Sequence, residues 1–237
     1  TDLIKVLVLT ILPVLLSTTL YNLSSIVDQG IYKNIALSQG HAAREISNFW
    51  GVYTGQYNVL INIPLAMANS IAAAIVPALA TSYRRKEKKN VRIRIATGLR
   101  FVNIITFPCM MGFLALAGPL MVLLFKDPDI SSANMLMLGS VSVLFYAIST
   151  LTNGVLQGID RMSVPVIHAG ISLVLQAAVL WALMHFFDLN IYAVVIANIF
   201  YALLMCILNE RSVKKYTGLK YSKILVYVIP FISSVIM

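Results

Sequence analysis

The stretch SYRRKEKKNVRIR, Ser82–Arg94, sets seven Lys/Arg against a single Glu between two long apolar runs. A basic block within a turn or two of apolar segments about 20 residues long reads as the cytoplasmic connection between two membrane spans. The bias in Lys/Arg between alternate loops sets the orientation of a membrane protein, so this block fixes which side every other loop is on. The rest of the composition agrees. The chain is 59% hydrophobic and 11% charged, with mean hydropathy +0.84, whereas soluble domains run nearer a quarter charged. Its 237 residues are therefore counted in spans of about 20 residues rather than in soluble domains, and about seven fit.

Outward from the basic block, the sequence predicts an all-α membrane protein, a multi-span helical bundle. Spans are expected at about residues 3–27, 51–81, 95–116, 134–156, 166–187 and 191–208, forming a six-helix lobe over 1–209. Residues 210–237 then hold a second basic loop and the start of a further, truncated span. The mixed segment Gly30–Trp50 reads as an outside loop, and so do the short connections around Lys126–Asp129 and Asp188–Asn190. With the amino end inside, fourteen Lys/Arg fall on the cytoplasmic side and three (Lys33, Arg44 and Lys126) outside, with Arg100 left in a span. The chain opens at Thr1 without a start methionine and stops at Met237 inside an apolar run, so it reads as a fragment.

Several classes are set aside by what the spans contain. The net charge of +9 is concentrated in two loops rather than spread with interleaved aromatics, so the basic residues point to anionic headgroups and not to nucleic acid. Cys109 and Cys206 both sit in apolar segments without CxxC spacing, which indicates neither a disulfide framework nor a metal site. No phosphate-binding loop, zinc motif or His paired with a nucleophile is present, so no catalytic residue and no cofactor are assigned. Asp28, at an outer helix end, and Asp160, in an inside turn, are expected to stay hydrated, leaving no carboxylate deep within a span. An intramembrane carboxylate is what an ion-coupled pump would display.

The second span carries the most informative pattern. At about 100° per residue, Gly51, Gly55, Asn58, Asn62, Ala66, Asn69 and Ala73 fall within an arc of about 80°. Amide side chains both donate and accept hydrogen bonds and suit hydroxyl-rich ligands, so this face can line a hydrated, carbohydrate-accommodating cavity. Small and amide residues also serve as ordinary helix-packing positions in membranes, and the pattern admits both readings. The candidate cavity residues are Asn58, Asn62 and Asn69, joined by Arg100 and Asn103 on the third span and Gln176 on the fifth. Arg100 either receives an anionic headgroup or snorkels to the surface. His168 is expected to be a packed or backbone-bonded histidine. Arg84, Arg85, Lys86, Lys88, Lys89, Arg92 and Arg94 are the candidate contacts to anionic lipid of the inner leaflet.

Four stretches carry a resemblance: INIPLAMANSIAAAIVPALATSYRRKE (61–87), FPCMMGFLALAGPLMVLLF (107–125), GVLQGIDRMSVPVIH (154–168) and the opening span with its exit toward Asp28. Pro77, Ala78, Ala80, Thr81 and Ser82, then Phe107, Pro108 and Gly112, then Leu156, Gln157, Gly158, Arg161 and Pro165 carry its motifs. Together they resemble the carboxyl-terminal lobe of the polysaccharide biosynthesis and lipid-linked oligosaccharide flippases. The nearest branch is that of stage V sporulation protein B and the MurJ-like proteins, in the multidrug/oligosaccharidyl-lipid/polysaccharide (MOP) exporter superfamily.

The resemblance implies one lobe of a MATE-like fold, paired with an amino-terminal lobe of the same protein around a central cavity in the plasma membrane of a bacterium. It implies a flippase that moves a polyprenyl-diphosphate-linked oligosaccharide or peptidoglycan precursor from the inner to the outer leaflet by alternating access. The lipid-linked saccharide and membrane lipids are then the partners. A drug or cation antiporter of the same superfamily is the alternative, and a membrane-embedded enzyme or scaffold of cell-wall synthesis is the alternative of another class. In the family, lipid II flippases tend to hold cationic residues within the cavity, and the first two spans here offer none at mid-depth. Single cysteines at Lys88 and Ser38 are expected to label from opposite sides of the membrane, position 88 from inside; labelling of position 88 on intact cells would contradict the orientation.

Overall fold

The structure, a computed structural model, describes residues 23–219 and 224–236. Among these residues every element is helical: α1 (23–38), α2 (Ala43–Arg84), α3 (Lys88–Phe125), α4 (Ile130–Gly158), α5 (Ser163–Phe187) and α6 (Ile191–Thr217). A π-helical turn at Ile224–Val228 then leads into α7 (Ile229–Ile236). Five of the helices, α2 to α6, are long and apolar enough to cross a membrane. The chain is an all-α, multi-span membrane protein. Most of the expected first span, with Lys5 and Pro13, lies outside the described residues, as do Lys220 and Lys223.

The helices outrun the apolar windows that announce them. With 42 residues, α2 is about 63 Å long at 1.5 Å per residue, twice the hydrocarbon thickness. The expected outside loop Gly30–Trp50 is corrected accordingly: α1 continues to residue 38, α2 begins at Ala43, and only four residues lie between them. Lys33, Asn34, Arg44 and Glu45 gave that segment its loop-like polarity. A helix standing beyond the membrane satisfies its backbone internally and needs no apolar pattern, so its polar composition is compatible with helix.

Short turns make consecutive helices antiparallel. Residues 39–42, 126–129 and 188–190 connect them at one end, and residues 85–87 and 159–162 at the other, which carries the basic block. Asp129 caps α4 by accepting from the Ser131 amide at 2.9 Å, and Asp127 accepts from the Ser132 hydroxyl at 2.7 Å. The first bond satisfies a backbone donor that a helix start leaves free, and the second ties the preceding turn to the first turn of α4. The fourth and sixth helices are the inner ones: 61% of the apolar window of α4 is buried, against 22% for α3. Ile167, Ile171, Val174 and Trp181 are exposed along α5, an apolar stripe at helical spacing.

The apolar interior forms two main bodies. One, at the end of the 39–42 turn, gathers Tyr32, Tyr53, Tyr57, Met121, Met135, Leu180 and Val194. The other, toward the basic end, gathers Leu79, Ile95, Leu99, Leu151, Val155 and Val213. The first is built around a π-helical turn in α2, Tyr53–Tyr57. Trp50, Tyr53 and Tyr57 follow one another there with ring centroids 5.2 and 5.3 Å apart, and the Tyr57 hydroxyl meets the Ser142 hydroxyl at 3.3 Å. An added Cβ at Gly139 would clash with the edge and hydroxyl of the Tyr57 ring, so α4 reaches α2 this closely only because position 139 is glycine. Gly139→Ala is expected to destabilise the fold by about 1–3 kcal/mol through overpacking. Gly112→Ala, where the space is open, should be neutral or stabilising by up to about 1 kcal/mol; thermal unfolding of the detergent-solubilised protein compares the two.

Candidate functional site

Asp28 lies within α1 and is only 2% exposed, which corrects the expectation of a hydrated residue at an outer helix end. Its carboxylate is met by amides from two other helices. Gln176 Nε2, on α5, donates to both oxygens at 3.0 and 2.8 Å, and Asn198 Nδ2, on α6, donates to Oδ2 at 3.1 Å. The orientation of both amides is fixed from behind. The Ser24 hydroxyl donates to Gln176 Oε1 at 3.0 Å, and the Tyr146 hydroxyl donates to Asn198 Oδ1 at 3.1 Å. Every amide proton facing Asp28 thus finds an acceptor, and the carboxylate stands at the receiving end of a directed network. A buried carboxylate persists only where such donors are supplied.

This cluster opens into a cavity of about 250 Å³ lined by Tyr53, Tyr57, Asn58, Asn62, Tyr146 and Asn198, with Asp28 in its wall. Asn62, Leu65 and Tyr146 also line a second hollow of about 680 Å³ that continues toward the basic end. There, Asn69, Ala73 and Pro77 of α2 face Thr150, Asn153, Gly154 and Gln157 of α4. The two adjoining hollows form one groove, with small and amide residues on one wall and hydroxyl and amide residues on the other. Helical geometry explains the second wall as it does the first: Tyr146, Thr150, Asn153 and Gln157 fall within an arc of about 60°.

A second network sets the polarity of that wall. His168 Nδ1 lies 2.7 Å from Asn209 Oδ1, so Nδ1 carries the proton, and Nε2 faces the Ser212 hydroxyl at 3.4 Å. Asn209, fully buried, then donates from Nδ2 to Asn153 Oδ1 at 2.7 Å. With its carbonyl engaged, Asn153 has its amide protons left for the groove. His168 is bonded to side chains rather than to backbone.

The structure separates the six expected cavity residues. Asn58, Asn62 and Asn69 line the groove. Gln176 is buried behind Asp28 as its amide donor. Asn103 is buried on another side of the bundle, where Nδ2 donates to the Val226 carbonyl at 2.7 Å and ties α3 to the turn before α7. Arg100 is exposed on α3 and lines neither hollow. The basic block also divides. Arg84, Lys86, Lys88 and Arg92 line a hollow of about 610 Å³ at the basic end, while Arg94 donates to the Ser82 hydroxyl at 3.2 Å. Arg85 and Lys89 are exposed outside that hollow. Asp28, Asn198, Tyr146 and Asn153 were not among the expected residues. The wheel applied to the second span would have found Tyr146 and Asn153 on the fourth, whereas the partners of Asp28 lie 148 and 170 residues away and leave no local signal.

Comparison with known proteins places the chain in a lineage. The family described as Lipid II flippase MurJ matches residues 3–237. The uncharacterized membrane protein YabM of Bacillus subtilis (strain 168) is 28% identical over 148 residues, 62% of this chain and 26% of that protein. The lipid II flippase MurJ of the same organism is 22% identical over 164 residues, 68% of this chain and 29% of that protein. The matched segment thus spans between a quarter and a third of the length of these relatives. No solved structure is significantly similar.

Proposed function

The chain belongs to the lipid II flippase MurJ family, and from that membership we propose that it forms one lobe of a flippase in a bacterial plasma membrane. The cargo is a polyprenyl-diphosphate-linked saccharide or peptidoglycan precursor, carried from the inner to the outer leaflet by alternating access, the lobe rocking against an amino-terminal partner lobe of the same protein. The observation that carries the reading is the groove between α2 and α4. Its walls offer the amides of Asn62, Asn69, Asn153 and Gln157, which are costly to leave against lipid tails. A groove of this polarity belongs in contact with water, saccharide or a second lobe.

In this account the amides of the groove exchange hydrogen bonds with sugar hydroxyls, and Asn153 contributes donors because His168 and Asn209 hold its carbonyl. The polyprenyl chain stays in lipid. The basic end is cytoplasmic, and Arg84 to Arg94 hold anionic lipid of the inner leaflet, each basic residue near the surface adding about 1 kcal/mol. Arg100 follows Arg94 by six positions, about 9 Å along α3, and anchors the exposed face of that helix at the same headgroups. No covalent step is needed.

Asp28 favours a second reading of how the movement is driven. Among the described residues, no Lys or Arg forms an ion pair with this carboxylate; its charge is met by amides alone. A proton or monovalent cation exchanging there would couple an ion gradient to rocking, because α1, α5 and α6 all meet at this group. The same chemistry would serve a cation antiporter. The test is full-length protein reconstituted in vesicles with a fluorescent polyprenyl-diphosphate saccharide. Replacing Asn62, Asn69 and Asn153 together by Ala should slow translocation at least tenfold, each lost hydrogen bond weighing about 1 kcal/mol. Asp28→Asn should remove the dependence of the rate on an imposed ion gradient. Wild-type protein that moves small cations but no lipid-linked saccharide would overturn the flippase reading.

A further inference from the structure

The hollow of about 610 Å³ at the basic end lies where chain segments far apart in sequence converge. Arg84 comes from the end of α2, Lys86 from the α2–α3 turn, Lys88 and Arg92 from the start of α3, Asp160 from the α4–α5 turn, and Lys215 from the end of α6. Five cationic residues thus face one carboxylate. Like charges gathered around a hollow repel one another, and the usual remedy is a neighbouring acid. Among the described residues none is used here: Arg84, Lys86, Lys88 and Lys215 make no ion pair. Glu87, the acid nearest in sequence, accepts instead from Asn90 Nδ2 at 2.8 Å.

The hollow is also built rather than merely charged. Arg92 Nε donates to the Thr217 carbonyl at 3.2 Å, which satisfies one of the carbonyls left free at the C-terminal end of α6 and ties α3 to it. That fit depends on Gly218, which takes φ +60°, and an added Cβ there would lie 2.6 Å from Arg92 Nη2. A side chain at 218 would be strained by its backbone and would displace the guanidinium. Tyr83 and Tyr216 supply aromatic walls, and Arg161 sits 4.8 Å from the Tyr216 ring centroid, a stacking that holds the ring in place.

We propose that this hollow is a discrete binding site for the phosphate of an anionic phospholipid headgroup, with Lys86 closing on it from the α2–α3 turn and Lys215 from the end of α6. The inference deepens the reading of the basic block as an anionic-lipid contact and rests on its facing a lipid leaflet. It changes that contact from diffuse attraction by seven side chains to one site, which Lys215 completes and from which Arg85 and Lys89 are excluded. A headgroup seated there would bridge α3 and α6 at the basic end.

Two double neutralisations of equal charge separate the possibilities. The full-length protein in detergent is titrated with short-chain phosphatidylglycerol, with phosphatidylcholine of the same chain length as control, and bound lipid is counted by native mass spectrometry without any transport step. Lys86→Gln with Lys215→Gln should weaken phosphatidylglycerol binding roughly thirtyfold, while Arg85→Gln with Lys89→Gln should change it less than about threefold. Displacement of the lipid by inorganic phosphate supports a site made for the phosphate itself, and resistance to displacement supports recognition of the whole headgroup. Equal loss in the two variants, or equal binding of the two lipids by the wild type, would overturn the site. Because nothing is translocated in this measurement, its failure leaves the flippase reading standing, and the failure of that reading leaves this result intact.

Discussion

A carboxylate buried in an apolar bundle must be given donors, and the way Asp28 is given them organises the described helices. Gln176 and Asn198 come from α5 and α6, and each is held facing the carboxylate by a hydroxyl behind it, Ser24 for one and Tyr146 for the other. Four helices contribute to this one charge. Tyr32 extends the attachment of α1 by donating to Asn190 Oδ1 at 2.6 Å, and Gln39 does so by donating to the Met184 carbonyl at 2.7 Å. Losing one partner of a buried, charge-assisted network leaves the others unsatisfied, so the cluster acts as a unit. A group placed where several helices meet is also where an exchanged proton or cation would alter their packing.

The groove follows from the same arrangement. The α2 face that runs from Asn58 to Ala73 is not consumed by packing, because Leu60, Ile61, Ala68 and Ala72, buried residues of α2, lie outside its arc, most of them along the adjoining flank. At the π-helical turn the backbone carries Tyr53 and Tyr57 into the interior, where Tyr57 abuts Gly139. The Asp28 cavity and the longer hollow share Asn62, Leu65 and Tyr146, so the ionisable group and the amide walls belong to one continuous surface. A local helical distortion at such a place is a common device for aiming side chains at a site.

Much of this was legible in the sequence, for definite physical reasons. The all-α, multi-span character, the segregation of the basic block to one end and the amide face of α2 all depend on patterns within one helix or loop, which composition and a 100° period report directly. The helical character of 30–50 was hidden because hydropathy detects what lies in lipid, and the ends of α1 and α2 need not lie there. Asp28 was misplaced for a related reason: its position along the chain marks a helix end in hydropathy, but its burial is decided by Gln176 and Asn198, far off in sequence. Asn103 reads like the groove asparagines, and only packing shows that its partner is the Val226 carbonyl. Lys215 looked like one more loop lysine until the turns were brought together.

The central claim is that the Asp28 carboxylate and its amide donors form one energetic unit joining α1 to the rest of the bundle. It is tested most directly by a double-mutant cycle of Asp28→Ala and Gln176→Ala, singly and together, with equilibrium unfolding followed by denaturant titration in detergent. Groups in one buried network couple by about 0.5–3 kcal/mol, whereas independent sites add to within about 0.5 kcal/mol. The account predicts a coupling of about 1–3 kcal/mol, the second substitution costing much less once the first is made. Strict additivity of the two effects would contradict it.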